Sequence, residues 1–196
     1  MPNPKSKIQN PKFHTDLELT TSSVEETQAI GERLGKNLKP GDVVAFHGEL
    51  GSGKTTLIQG IARGLGIDPE RVKSPTFVLM REYPGEPPII HIDGYRLEGA
   101  PAVSWLDLDL VFSPHKITLI EWAERFEGLL PEDRLAVFLE HVSTNRRRLR
   151  ITASGPQSSA RAAQLQTVDG KPLATDVSTN SSDAHTEESD HGAAGD

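Results

Sequence analysis

The chain has 196 residues, with 21 Lys and Arg against 28 Asp and Glu, a formal net charge of −7. Net acidity argues against a protein that coats nucleic acid by charge alone. The absence of cysteine excludes a disulfide scaffold, a Cys-ligated zinc or iron–sulfur site, and thiol nucleophile chemistry. No apolar run is long enough to span a bilayer, and the polar stretch 1–14 lacks the apolar segment of a secretory signal, so a cytoplasmic protein without a membrane partner is expected.

The stretch 1–14 reads as a flexible lead-in and 15–155 as one domain. Ser23-Val24-Glu25-Glu26 has the form of a capping box, and Ala29, Ile30, Leu34 and Leu38 follow at helical spacing until Pro40-Gly41-Asp42 ends the helix. Val43 to Phe46 is a short apolar run that reads as a buried strand. A glycine-rich turn, Gly48 to Gly53, leads into a second helix marked by Leu57, Ile58, Ile61, Ala62 and Leu65 and stopped at Gly66. Phe77 to Tyr83, Ile89 to Asp93 and Ile117 to Glu121 read as strands. Ala102 to Val111, carrying Trp105, reads as a short helix. Leu135 to Val142 and Leu149 to Ala153 read as closing strands.

Strand–helix alternation at the front with a strand-rich back half predicts an α/β fold: a mostly parallel sheet flanked by helices. From Pro156 to Asp196 there is no aromatic residue, and two basic side chains face seven acidic ones. Such a segment buries too little apolar surface to offset chain entropy, so a disordered acidic tail is expected, with a transient helix near 160–168.

The sharpest feature is Gly48-Glu49-Leu50-Gly51-Ser52-Gly53-Lys54-Thr55, which matches the P-loop pattern G-x-x-x-x-G-K-[ST] and lies between a predicted strand and a predicted helix. Gly48, Gly51 and Gly53 let the backbone wrap an anion with N–H groups turned inward. The helix beginning near Gly53 offers its positive end to phosphate. Lys54 can reach the β- and γ-phosphates, the Thr55 hydroxyl can ligate Mg²⁺, and Thr56 lies on the α-phosphate side. Mg²⁺ at such a loop also needs an acid at a neighbouring strand end. Two acids qualify: Glu121 after Ile117-Thr118-Leu119-Ile120, and Asp93 after Ile89-Ile90-His91-Ile92.

Beyond the P-loop, three further blocks stand in order: Val72-Lys73-Ser74-Pro75-Thr76-Phe77, His91-Ile92-Asp93-Gly94-Tyr95-Arg96 and Leu119-Ile120-Glu121-Trp122-Ala123-Glu124-Arg125. Together with Gly48 to Thr56 they resemble the TsaE (YjeE) family, the small P-loop ATPases of bacterial tRNA threonylcarbamoyladenosine biosynthesis, over about residues 20–153. Gly94 and Ala123 depart from the family's usual residues, and the acidic tail is outside its pattern.

The resemblance implies a weak, partner-dependent ATPase with ATP and Mg²⁺ as cofactors. It implies a TsaB–TsaD pair as partners, with tRNA met indirectly through that complex. It makes Glu121 the Mg²⁺ acid with Thr55, and Asp93 the second acid, able to position or deprotonate the attacking water. It also sets Arg146, in the basic cluster Arg146, Arg147, Arg148 and Arg150, near the nucleotide; protective edge charge is the alternative. Thr76 reads either as a γ-phosphate sensor or as part of a rigid Ser-Pro turn. His91 reads as a buried, hydrogen-bonded histidine, and Trp122 as a core or interface aromatic. Tyr95 and Arg96 read as partner surface or simple structure. A small-molecule P-loop kinase and a nucleotide-switched binding module are the alternative functions.

Overall fold

The computed structural model describes residues 15–97, 106–165, 167–168 and 171–172. The lead-in 1–14, the Ala102 to Trp105 part of one expected helix, and most of the expected disordered tail lie outside the described residues.

Seven strands form one sheet: β1 (Thr15–Thr21), β2 (Val43–His47), β3 (Met80–Tyr83), β4 (Ile89–Asp93), β5 (Ile117–Glu121), β6 (Leu135–His141) and β7 (Arg147–Ala153), in the spatial order β1-β7-β6-β2-β5-β4-β3. The four central strands pair in parallel, β6-β2, β2-β5 and β5-β4, while β1-β7, β7-β6 and β4-β3 pair antiparallel. The α/β architecture with a mostly parallel core is as expected. β4 and β5 are buried along their whole length, because parallel strands are covered on both faces. β6 and β7 instead alternate buried with more open positions, as strands do when one face stays wet.

The helices are α1 (Val24–Asn37), α2 (Lys54–Gly64), α3 (Leu108–Val111) and α4 (Pro156–Leu165). Ser23 caps α1 by accepting from the Glu26 N–H at 3.1 Å, and Glu26 reaches back to the Ser22 N–H at 2.7 Å. α1 and α2 lie against one sheet face over Leu34, Leu57, Ile58, Ile61, Val44, Phe46 and Leu119. Their contact is backbone on backbone. A Cβ added at Gly31, Gly35, Gly60 or Gly64 would lie 2.2 Å from a carbonyl oxygen of the other helix. α3 and a 3₁₀ turn, Ala123–Phe126, cover the other face over Val43, Ala45, Ile90, Ile92 and Ile120.

Several expectations need correction. β1 was not anticipated, although Leu17, Leu19 and Thr21 alternate with exposed residues and are buried. The strand expected from Phe77 starts only at Met80. The Val78 and Leu79 N–H groups both turn back to the Pro75 carbonyl, and Leu79 sits at φ 66°. Of the helix expected at Ala102 to Val111, the described residues 106–111 are helical only from Leu108, with Asp107 as the N-cap of α3.

The domain also runs past 155. α4 packs Ser158, Ala162 and Leu165 inward, and Arg161 pairs with Asp42 at 2.8 Å. The first ten residues of the expected disordered tail are therefore ordered. A short ribbon of β8 (Thr167–Val168) and β9 (Lys171–Pro172) follows.

Candidate functional site

The P-loop leaves β2 at the carboxyl end of the parallel strands and enters α2 directly, with Gly53 at the N-cap in a left-handed conformation, φ 106°. No side chain caps α2, so its first N–H groups are presented to an anion. Gly48 shows why the loop needs glycine: at φ 140° an added Cβ would meet the Leu139 carbonyl oxygen at 2.3 Å. Lys54 turns its ammonium into the loop and donates to the carbonyls of Gly48 and Glu49 at 2.7 and 2.9 Å. Burial pushes the Lys54 ammonium below its ordinary pKa, against the pull of Glu121, Glu124 and Asp93.

Beside the loop lies a cleft of about 370 Å³, within the range of small-molecule sites. Leu50, Gly51, Gly53, Lys54, Thr55 and Thr56 line it, and so do Asp93 and Glu121. Gly48 and Glu49 act through their carbonyls on Lys54, and Ser52 is buried beneath the loop.

The two acids meet because β4 and β5 pair in register, with Asp93 opposite Glu121. The Thr55 hydroxyl donates to the Glu121 carboxylate, 2.9 Å from Oε1 and 3.1 Å from Oε2. Asp93 is held by the segment after α2. Ser74 Oγ and Thr76 Oγ1 both donate to its Oδ2, while the Tyr95 N–H donates to Oδ1 at 2.9 Å.

Lys54, Asp93 and Glu121 are 4%, 2% and 3% exposed, so three ionisable groups are desolvated together at one strand edge. Among the described residues no group of three or more His, Cys, Asp or Glu side chains is placed to hold a metal unaided. A hydroxyl and one carboxylate beside an anion-binding loop is the donor set for Mg²⁺ that shares its remaining ligands with phosphates and water. The residues present thus fit a phosphate-bearing ligand with Mg²⁺.

Four observations refine the sequence reading. His91, expected as a buried histidine, is wholly buried and puts Nε2 3.0 Å from Glu121 Oε1. Its place two residues before Asp93 on one strand is the signal that set it on the site's face. Trp122, at φ 57°, lays its indole over the Lys54 ammonium at 4.3 Å and packs on Tyr95, so it is a cleft residue and not a core one.

Thr76 binds Asp93. Arg146 is exposed and not among the lining residues, whereas Thr144, Asn145 and Arg147 are. The alternation along β7 explains this: Arg147 shares its face with Leu149 and Ile151, the face on which α4 packs, while Arg148 and Arg150 point the other way. Arg148 pairs with Glu140 at 3.1 Å and Arg150 lies over the Phe138 ring at 4.6 Å.

No helix among the described residues is long and apolar enough to cross a membrane. Residues 21–149 match the family model "Threonylcarbamoyl adenosine biosynthesis protein TsaE". A Bacillus subtilis protein described as tRNA threonylcarbamoyladenosine biosynthesis protein TsaE is 40% identical over 140 residues, 71% of this chain and 87% of that protein. A Streptomyces coelicolor protein of the same description is 44% identical over 117 residues, covering 58% and 78% of the two chains. The crystal structure of Bacillus subtilis YdiB superposes with a TM-score of 0.66 at 34% identity, covering 78% of this chain and 95% of that one. The four sequence blocks, the site they assemble and these matches agree: the chain belongs to the TsaE family.

Proposed function

We propose that the chain is the ATP-binding and ATP-hydrolysing component of tRNA threonylcarbamoyladenosine biosynthesis, working in the cytoplasm on a TsaB–TsaD pair and meeting tRNA through that assembly. The observation that carries this reading is the meeting of Thr55 and Glu121 beside Lys54 and Asp93 at the mouth of the P-loop.

In this reading the loop amides and Lys54 bind the phosphates, and Arg147, beside Gly53, adds positive charge to the cleft. Thr55 and Glu121 would hold Mg²⁺, which would supply positive charge to the phosphates when bound. Asp93 orients the attacking water and takes its proton, with Ser74 and Thr76 fixing the carboxylate for that task. Partner dependence is supported by the cleft rim, where Leu50 is 74% exposed and Phe77, next to Thr76, is 82% exposed.

The test measures ATP turnover and ATP-dependent complex formation with purified TsaB and TsaD, and tRNA modification over multiple turnovers. Stimulated hydrolysis that Glu121→Ala and Asp93→Ala abolish, together with loss of repeated modification, is the expected result. Unimpaired multi-turnover modification by those variants would replace hydrolysis with a nucleotide-operated binding switch.

A further inference from the structure

We propose that His91 is a positioning residue that fixes the carboxylate of Glu121 for metal binding. The proposal deepens the site reading above and rests on it.

A glutamate at a strand end has three side-chain torsions and several low-energy placements. Two groups restrict Glu121. The Thr55 hydroxyl donates to both its oxygens, and His91 Nε2 lies 3.0 Å from Oε1. When Thr55 also serves the cation through its oxygen lone pairs, its oxygen is tied to the metal, whereas His91 stands outside the donor set and can hold Oε1 with or without metal.

Nε2 faces a carboxylate oxygen, which can only accept, so Nε2 is the donor of this pair. Nδ1 is buried and, among the described residues, has no hydrogen-bond partner. A fully buried histidine with one unsatisfied nitrogen costs free energy relative to an apolar residue of similar size, so packing does not account for an imidazole here. Around it on β4 and β5, Ile89, Ile90, Ile92, Leu119 and Ile120 are apolar and buried, and the one buried hydroxyl nearby, Thr118, is satisfied by the Val111 carbonyl. His91 is placed where an isoleucine would pack as well and could not donate to Glu121.

The experiment uses the full chain and reads Mn²⁺ affinity by electron paramagnetic resonance in the presence of a non-hydrolysable ATP analogue, with analogue affinity measured separately without metal. His91→Leu removes the donor, His91→Gln restores an N–H near the Nε2 position, and each is also made in a Glu121→Gln background. His91→Leu is expected to weaken Mn²⁺ binding by roughly 10–100-fold while metal-free analogue binding is kept, and His91→Gln to recover most of the loss. In the Glu121→Gln background His91→Leu should add nothing, because the group it positions is gone.

A merely structural histidine would weaken both affinities and act equally in both backgrounds. That outcome, or wild-type Mn²⁺ affinity in His91→Leu, overturns the proposal alone. Wild-type Mn²⁺ affinity in Glu121→Gln overturns the metal reading of the site and the proposal with it.

Discussion

Thr55 and Glu121 lie sixty-six residues apart in the chain and within 2.9 Å in space. One belongs to the first turn of α2 and the other to the last position of β5, so the pairing of β2 with β5 decides whether they meet. Removing the hydroxyl should therefore act on metal use and not on folding. Thr55→Val is expected to lower Mg²⁺-dependent ATP hydrolysis by ~10–100-fold, while Thr55→Ser keeps most activity. Turnover measured across a Mg²⁺ series checks this; Thr55→Val with wild-type Mg²⁺ dependence would remove Thr55 from the metal site.

Lys54 combines two roles that one substitution separates. Lys54→Ala should reduce ATP affinity on the order of 100-fold, since the ammonium that would give phosphate charge-assisted hydrogen bonds is removed. Nucleotide that draws the ammonium from Trp122 should change the indole emission, and Trp122→Phe should abolish that signal.

The depressed pKa of Lys54 gives a further signature. Between its depressed value and the ordinary lysine range the folded chain holds fewer protons than the unfolded one, so stability rises with pH across that window. Urea titrations at several alkaline pH values should show this rise in the wild type and a flatter profile in Lys54→Met.

Asp93 tests the hydrolytic half of the site. Asp93→Asn keeps the volume and the Tyr95 N–H contact but is a far weaker proton acceptor. ATP binding should persist and turnover fall ~100-fold or more. Ser74→Ala and Thr76→Val remove the two hydroxyls on Oδ2, and each should lower turnover less than Asp93→Asn does. Single-turnover hydrolysis measures all three; undiminished chemistry in Asp93→Asn would return the role of base to another group.

The α1–α2 contact predicts an unusual response to alanine. In an open helix Gly→Ala stabilises by up to ~1 kcal/mol. At Gly31 and Gly60 the new methyl would strike the carbonyls of Leu57 and Gln28, so both variants should instead lose about 1–3 kcal/mol and shift α2 beneath the P-loop. Denaturant unfolding and ATP affinity should fall together, because α2 carries both the contact and Lys54.

The legible parts of this chain were local. The P-loop, Ser23 at the start of α1, and the two acids at strand ends are short-range patterns whose chemistry restricts the residue types. What stayed hidden depends on pairing. The His91–Glu121 contact requires β4 beside β5, and the choice of Arg147 over Arg146 requires the phase of β7 against α4. Residues 156–165 are legible only as a transient helix near 160–168, for a related reason: Ser158 and Ala162 carry little apolar signal, and what holds α4 in place lies in residues 133, 42 and 33.

Those distant partners make α4 testable. The Gln157 and Ser158 N–H groups donate to the Asp133 carboxylate at 2.9 Å each, Arg161 pairs with Asp42, and the Arg33 guanidinium donates to the Leu165 carbonyl at 2.8 Å. Ending the chain after Ser154 would expose the apolar surface of α1 and of β1, β7 and β6 on which α4 packs, so a clear drop in melting temperature is expected. Ending it after Pro172 removes none of these contacts and should leave the melting temperature unchanged.

Asp133 adds a pH arm. Burial raises its pKa, but the hydrogen bonds from Ser158 and Gln157 and the charge of Arg161 outweigh this and hold it below the usual aspartate value. A depressed carboxylate pKa contributes stability that is full above the unfolded value and lost as pH falls through the folded one. Asp133→Asn should therefore cost about 1 kcal/mol at neutral pH and progressively less in acid, where the wild type has lost the same contribution. Equal loss at pH 7 and at pH 2 would mean that the charge of Asp133 does not hold α4.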